Sequence, residues 1–397
     1  MSALDGIKIL DLSGGYPGAF STWILSDMGA EVINIEAPRG ARRRQLGTEL
    51  REAVYQTTNR NKKSIVLNLK SEEARHIFYQ LAEKADVIVD PFRPGVAKRL
   101  GIDYPTINKI NPRIIYCSMS GYGQDGPYHN FAGHDINYIS IAGALNLIGK
   151  ADSEPIIPLN LVADYSGAAL YATIGILIAL IARSKTGKGQ YIDTSYTDGV
   201  ISLLTTTTVG YFRDNVVPKR GEHHLGGAYP FYNIYKTKDG KFITIGCNEP
   251  WLWENLCREI GKEDFIPFNL PRAFLRNPTD DKKWEEISSY LKQLFLTKTR
   301  DEWFELLSQK DIPVGKVYSL DEVFTDPQVL HRKMVIEVEH PTEGKIKQVG
   351  IAIKLSDTPG RVRNLPPLLG EHTEEILTGL GYNKQRLNEL RQKGIIN

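Results

Sequence analysis

Two side chains in this sequence have the types and settings for chemistry, Asp164 and His134. Asp164 follows the stretch Pro158-Leu159-Asn160-Leu161-Val162-Ala163 and stands where the longest apolar helix begins. By position it is first an N-cap. Read for function, it is a carboxylate at the mouth of an apolar layer, where desolvation and the helix terminus pull its proton affinity in opposite directions. Such a group serves as base or nucleophile. His134 stands in Gly133-His134-Asp135-Ile136-Asn137-Tyr138. A lone loop histidine is ordinarily structural or solvated, but beside Asp164 it gains a role: two groups of different type converging on one carbon can remove and return a proton. Glu249, just ahead of Pro250 at a predicted helix start, is by position a first-turn carboxylate. Residues 37–63 carry Arg39, Arg42, Arg43, Arg44, Arg51, Arg60, Lys62 and Lys63 against only Glu49 and Glu52. That basic stretch is either a solvated loop or a seat for several phosphates of a small ligand. It lacks the interleaved aromatics of a nucleic-acid groove. The sequence contains no HExxH, Walker loop, Gly-x-Ser-x-Gly elbow or paired cysteines.

The elements that must position these groups come from a chain of 397 residues, long enough for two domains. A formal charge of +2 gives no global field to attract nucleic acid or an anionic membrane. Hydrophobic residues at 41% with charged residues at 24% exclude wholesale disorder and a polytopic membrane protein. Three scattered cysteines and an N-terminus with neither a basic region nor an apolar run lead us to expect a reducing, cytoplasmic setting. Tyr165 to Ala182 is uncharged for eighteen residues, touching the lower limit of a membrane span, and is read as a buried helix.

The first third alternates strands and helices in the Rossmann-like α/β pattern. Strands are expected at Lys8–Leu12, Glu31–Glu36, Ile65–Leu69, Val87–Val89 and Ile114–Ser118, and a helix at Pro17–Met28. Another helix follows Ser71, with the stripe Ala74, Ile77, Phe78, Leu81, Ala82 and Ala85. Gly15, Gly18 and Glu36 resemble a dinucleotide fingerprint, but Ser13 replaces the first glycine and Pro17 interrupts the turn. Lys238-Asp239-Gly240 marks a hairpin between Phe231–Lys236 and Lys241–Gly246, opening a small α+β domain. The expected division is a discontinuous large domain of residues 1–200 and 330–397, a linker at 201–224 and a small domain at 225–329.

Local motifs then run the length of the chain: Leu10-Asp11-Leu12, Leu25-Ser26-Asp27-Met28-Gly29-Ala30-Glu31-Val32, Arg93-Pro94-Gly95-Val96, Gly121-Tyr122-Gly123-Gln124, Gly189-Gln190-Tyr191-Ile192-Asp193, Ile312-Pro313-Val314-Gly315 and Gly370-Glu371-His372-Thr373. With these the whole chain resembles the family III CoA-transferases (CaiB/BaiF-like), and within them the α-methylacyl-CoA racemase branch, whose version of Gly133 to Tyr138 it carries. The resemblance implies that His134 and Asp164 are the two acid/base groups. It matches Asn160 to the asparagine preceding that aspartate and Glu249 to a glutamate beside the histidine. The family's transferases use the same aspartate as a nucleophile, so Asp164 alone does not separate the chemistries; His134 favours the racemase. Their glycine-rich loop is also missing, with only Gly226-Gly227 near its place.

An α-carbon beside a thioester is inverted through an enolate, whose oxygen needs a fixed donor; a backbone N–H near Asp135 is the candidate, with Tyr138 supporting the same segment. No metal or redox cofactor is expected, CoA being part of the substrate. The resemblance further implies an interlocked homodimer with each site between two chains, and CoA phosphates among basic residues. A family arginine after the second strand is matched here by Ala37, so Arg39 or Arg42 to Arg44 must replace it, with Arg60, Lys62 and Arg93 completing the expected contacts. Two other readings are a CoA-transferase and a non-catalytic acyl-CoA-binding relative.

Overall fold

The computed structural model describes residues 1–38, 55, 57–269, 278–340 and 344–397. They divide into two units, Met1–Ala142 with Pro158–Leu204 and Pro327–Asn397, and Gly143–Ile157 with Thr205–Asp326.

The first unit is built on six parallel strands, β1 (Lys8–Asp11), β2 (Glu31–Glu36), β3 (Lys62–Val66), β4 (Val87–Asp90), β5 (Ile115–Ser120) and β6 (Tyr191–Ser195), in the order β3-β2-β1-β4-β5-β6. This is a doubly wound sheet whose strand order reverses between β1 and β4, and ligands of such sheets bind beyond the carboxyl ends of the strands. Every residue of β4 and β5 is buried, as strands covered on both faces require. The helix Glu72–Glu83 starts where the Ser71 side chain accepts the Ala74 N–H, and it buries Ala74, Ile77, Phe78, Leu81 and Ala82 against the sheet. Each of its large apolar side chains contributes about 2 kcal/mol.

β3 begins three residues earlier than the apolar pattern suggests, pairing Lys62 with Val32 and Val66 with Glu36. The pattern fails because a lysine is inside: Lys62 Nζ donates to Asp11 Oδ2 at 3.2 Å, Thr22 Oγ1 at 2.7 Å and the Ala19 carbonyl at 3.0 Å. The far side of β3 is covered by the C-terminal part of the chain. Ser64 O accepts the His372 N–H at 2.9 Å, the Val66 N–H donates to Thr373 Oγ1 at 3.2 Å, and the Asn68 N–H donates to Ile395 O at 2.9 Å.

The apolar segment folds as a π-helix, Leu161–Leu170, continuing into the α-helix Tyr171–Thr186. Two glycines set its place, since a Cβ on Gly199 would lie 1.9 Å from the Gly167 carbonyl oxygen. Backbone therefore meets backbone where the π-helix crosses the helix Tyr196–Leu203. The expectation of a buried helix is corrected. Leu161–Thr186 is long and apolar enough to cross a membrane, yet it buries only one face, with Ala168, Ala172, Ile176 and Ala179 inside and Arg183 paired to Asp86 at 2.7 Å. Ile174, Ile178 and Ile181 are 50%, 60% and 59% exposed on the other face.

The second unit holds the antiparallel sheet β7 (Tyr232–Lys236), β8 (Phe242–Gly246) and β9 (Val314–Val317). Gly240 takes φ +79° in the hairpin, and Phe231, Tyr235, Trp253, Phe295 and Trp303 fill the core. Residues 143–157, expected in the large domain, belong here: Arg220 donates to the carbonyls of Asn146 and Ser153. Residues 205–224, expected as a linker, are likewise part of this unit. The hairpin β10 (Val335–His340) with β11 (Gly344–Val349) lies in the first.

Candidate active site

β5 ends at Ser120, and the loop beyond it leads to the helix Asp135–Ile141, with His134 at the N-cap. The His134 side chain is exposed, and the His134 backbone N–H donates to Asn137 Oδ1 at 3.0 Å. Tyr138 steadies the preceding residue, donating its hydroxyl to the Gly133 carbonyl at 2.6 Å. Its ring lies so close to Gly121 that a Cβ there would fall 2.1 Å from the ring carbon, so glycine is required for the approach.

Asp164 sits half-buried in the first turn of the π-helix, where Asn160 Nδ2 donates to its Oδ2 at 3.2 Å. The two elements are joined by one side chain. Asp135 Oδ2 accepts the N–H of Ala163 at 2.8 Å and that of Asp164 at 2.9 Å.

Burial raises the Asp164 carboxyl above the ordinary value; the Asn160 hydrogen bond opposes this, the Asp135 charge adds to it and the His134 charge opposes it. A carboxyl held this way takes and gives protons more evenly than a solvated one. The Tyr138 phenol is pushed up to about 12, chiefly by burial, so it stays a neutral donor. Arg93, exposed in the loop after β4, works against that rise.

One buried acid was not foreseen. Asp90, 4% exposed at the end of β4, accepts the Phe92 N–H at 2.8 Å and so shapes the turn that carries Arg93. Its other oxygen lies 3.1 Å from Tyr116 Oη, which also reaches the Ile102 carbonyl at 2.9 Å. A phenol has one proton for these two acceptors, so Tyr116 shares it between the Asp90 carboxyl and the Ile102 carbonyl and compensates the buried acid only in part. Burial pushes Asp90 from 3.8 up to about 6, against the hydrogen bonds of Phe92, Tyr116 and Ser118. The folded chain thus keeps this proton to higher pH than the unfolded chain, and stability falls as pH rises through that window. Asp90→Asn should stabilise the fold at pH 8 by about 3 kcal/mol, seen as a higher melting temperature, and change little at pH 4. Equal effects at both pH values would refute the upward shift of the Asp90 carboxyl.

The description of CoA-transferase family III matches residues 4–373. The chain belongs to that family. It is 33% identical to the human alpha-methylacyl-CoA racemase, covering 99% of this chain and 97% of that protein. It is 34% identical to the human succinyl-CoA:glutarate CoA-transferase, covering 99% and 90%. A solved CaiB/BaiF family protein from Brucella suis superposes with a TM-score of 0.81 at 30% identity, covering 96% of this chain and 99% of that one. This family III chain is therefore an enzyme of a family that includes racemases and transferases, and an acyl-CoA substrate suits it.

Within this family III fold the structure gathers His134, Asp135, Tyr138, Asn160 and Asp164, with Arg93 near enough for its charge to act on Tyr138. Glu249 belongs to the second unit, exposed at the N-cap of the helix Pro250–Glu259, and its side chain makes no capping bond. The basic stretch needs correction. Arg60 is fully buried, donating to Asp27 at 2.7 Å and to the Val349 carbonyl at 2.8 Å, and Lys62 is 1% exposed on Asp11. Buried, paired cations present nothing to a phosphate in solution, so these two hold the sheet together rather than bind CoA. Arg39, Arg42 and Arg43 lie outside the described residues. Asp90 had a signal in sequence, the acid that ends the apolar run Val87-Ile88-Val89.

Proposed function

We propose that this enzyme is a racemase that inverts the α-carbon of 2-methylacyl-CoA thioesters by two-base proton transfer. The observation that carries the reading is that Asp135, the residue after His134, accepts the backbone N–H groups of Ala163 and Asp164, which ties the segment bearing the imidazole to the segment bearing the raised carboxyl. One group takes the α-proton from its face of the carbon and the other supplies one to the opposite face. The enolate between these steps carries its charge on the thioester oxygen, which a backbone N–H near Asp135 would receive. Arg93, with Arg39, Arg42 and Arg43, would meet the CoA phosphates. Proton transfer of this kind needs no metal or redox group. The similarity to the human racemase supports the assignment.

A homodimer in the cytoplasm completes the reading. The exposed stripe of Ile174, Ile178 and Ile181 suits a second copy, which would bring Glu249 to His134 to orient the imidazole. Light scattering that gives a monomer at micromolar concentration would remove the dimer.

The similarity to a glutarate transferase supports a second chemistry, in which Asp164 attacks an acyl thioester and CoA passes to another acid. Incubating one epimer of a 2-methylacyl-CoA in D2O separates the two. A racemase incorporates α-deuterium and mixes epimers without any acceptor acid. Absence of exchange, with CoA moving to an added carboxylate and hydroxylamine trapping at Asp164, would establish the transferase.

A further inference from the structure

We propose that the Asp135 side chain is the positioning group of this site, holding the Asp164 carboxylate in register with His134 through the two backbone N–H groups it accepts. This rests on Asp164 being a reacting group, and it holds whether Asp164 moves a proton or attacks a carbonyl.

A π-helix leaves the N–H groups of its opening turn without acceptors of its own, as every helix start does. Asn160, at the N-cap, does not supply one; its amide is turned to Asp164 Oδ2 instead. The acceptor comes from another element. Asp135 is the residue after His134 and the first of its helix, and its Oδ2 takes the N–H groups of both Ala163 and Asp164. One side chain therefore connects the backbone carrying the imidazole to the backbone carrying the carboxylate.

Asp135 is 5% exposed, so water does not compete for these bonds, and its other oxygen, Oδ1, is buried with no hydrogen-bond partner among the described residues. A buried carboxylate with a vacant oxygen is a poor choice for stability alone, since that atom has lost its water for nothing. The groups that act electrostatically on Asp164 or feel its charge are Asp135 and His134, Tyr138 on the same helix as Asp135, and Tyr196 on the helix Tyr196–Leu203. Of these, the Asp135 charge raises the Asp164 carboxyl and the His134 charge lowers it. Asp135 thus acts on Asp164 twice, through position and through charge.

The test uses Asp135→Ala and Asp135→Asn in the full chain, followed by α-deuterium exchange with steady-state kcat and KM. Asp135→Ala frees two N–H groups, and a displacement of about 1 Å lowers kcat roughly 100-fold, with KM for the thioester changed less than threefold. Asp135→Asn keeps an oxygen for both N–H groups, so it restores kcat to within tenfold of the wild type. Because it removes the negative charge, the acid limb of its kcat profile moves to lower pH. Wild-type kcat in Asp135→Ala, or a twofold variant effect that falls on KM alone, overturns the proposal while the racemase reading stands. If Asp135→Ala does not fold, Asp135→Asn decides: an unshifted acid limb with a kcat as low as that of an Asp164 variant overturns it. If the wild type transfers CoA rather than exchanging protons, the racemase reading fails and the same variants are read on transfer. A wild type with neither reaction overturns both.

Discussion

Asp164→Ala should end epimer mixing, with a fall of about a thousandfold, while exchange of the α-hydrogen survives on one epimer only. His134→Ala should do the same and leave exchange on the other epimer. In two-base chemistry each group faces one hydrogen position, so a single base can still wash deuterium into the epimer whose hydrogen points at it. It cannot deliver a proton to the opposite face. CoA affinity should stay near the wild-type value, because the reading gives both side chains a part in proton transfer and not in phosphate binding. The measurement is deuterium incorporation and chiral analysis from each pure epimer. Full racemisation by either variant removes its residue from the mechanism, and loss of exchange on both epimers with one variant would mean one base serves both faces.

Gly199→Ala should unfold the site without touching any reacting atom. Its new methyl would stand 1.9 Å from the Gly167 carbonyl oxygen, and that contact is backbone against backbone, so no rotamer change relieves it. The helix Tyr196–Leu203 must move away from the π-helix, and overpacking of this kind costs about 3 kcal/mol. Asp164, three residues before Gly167, would move with it. We expect a lower melting temperature and at least a tenfold loss of kcat. Gly210→Ala is the control, since nothing lies within 4 Å of the added atom. Unchanged stability in Gly199→Ala would show that the two helices are not locked at this crossing.

The local rules read much of this fold. The stripe from Ala74 to Ala82 and the capping Ser71 identify their helix because side-chain spacing and one hydrogen bond decide it. The apolar pattern misplaces the start of β3 because its first residues, Lys62 and Lys63, look like solvent-facing charge, and only the sheet places Asp11 beside Lys62. The same blindness made Arg60 and Lys62 look available to phosphate, since a charge count along the chain does not know which cations are already paired. At the site, residue types point to His134 and Asp164, whereas for Asp135 they point only to its backbone. Its carboxylate function depends on a contact across 28 residues to the Ala163 N–H, which no spacing rule encodes. The π-helix was invisible for a related reason: its register is imposed by the Gly167 and Gly199 crossing.

The covered edge of β3 carries a further implication for synthesis. Arg60 bonds Val349 across 289 positions, and the Asn364 N–H bonds Asn61 Oδ1 across 303. A ribosome that has released β1 to β3 has therefore made a strand whose outer hydrogen-bonding edge has no cover until nearly three hundred more residues emerge. Pairings this distant are slow to form, and an open edge invites association with other chains. The first unit can finish only after translation has passed the second, so a nascent chain of this enzyme carries that edge open through most of its synthesis.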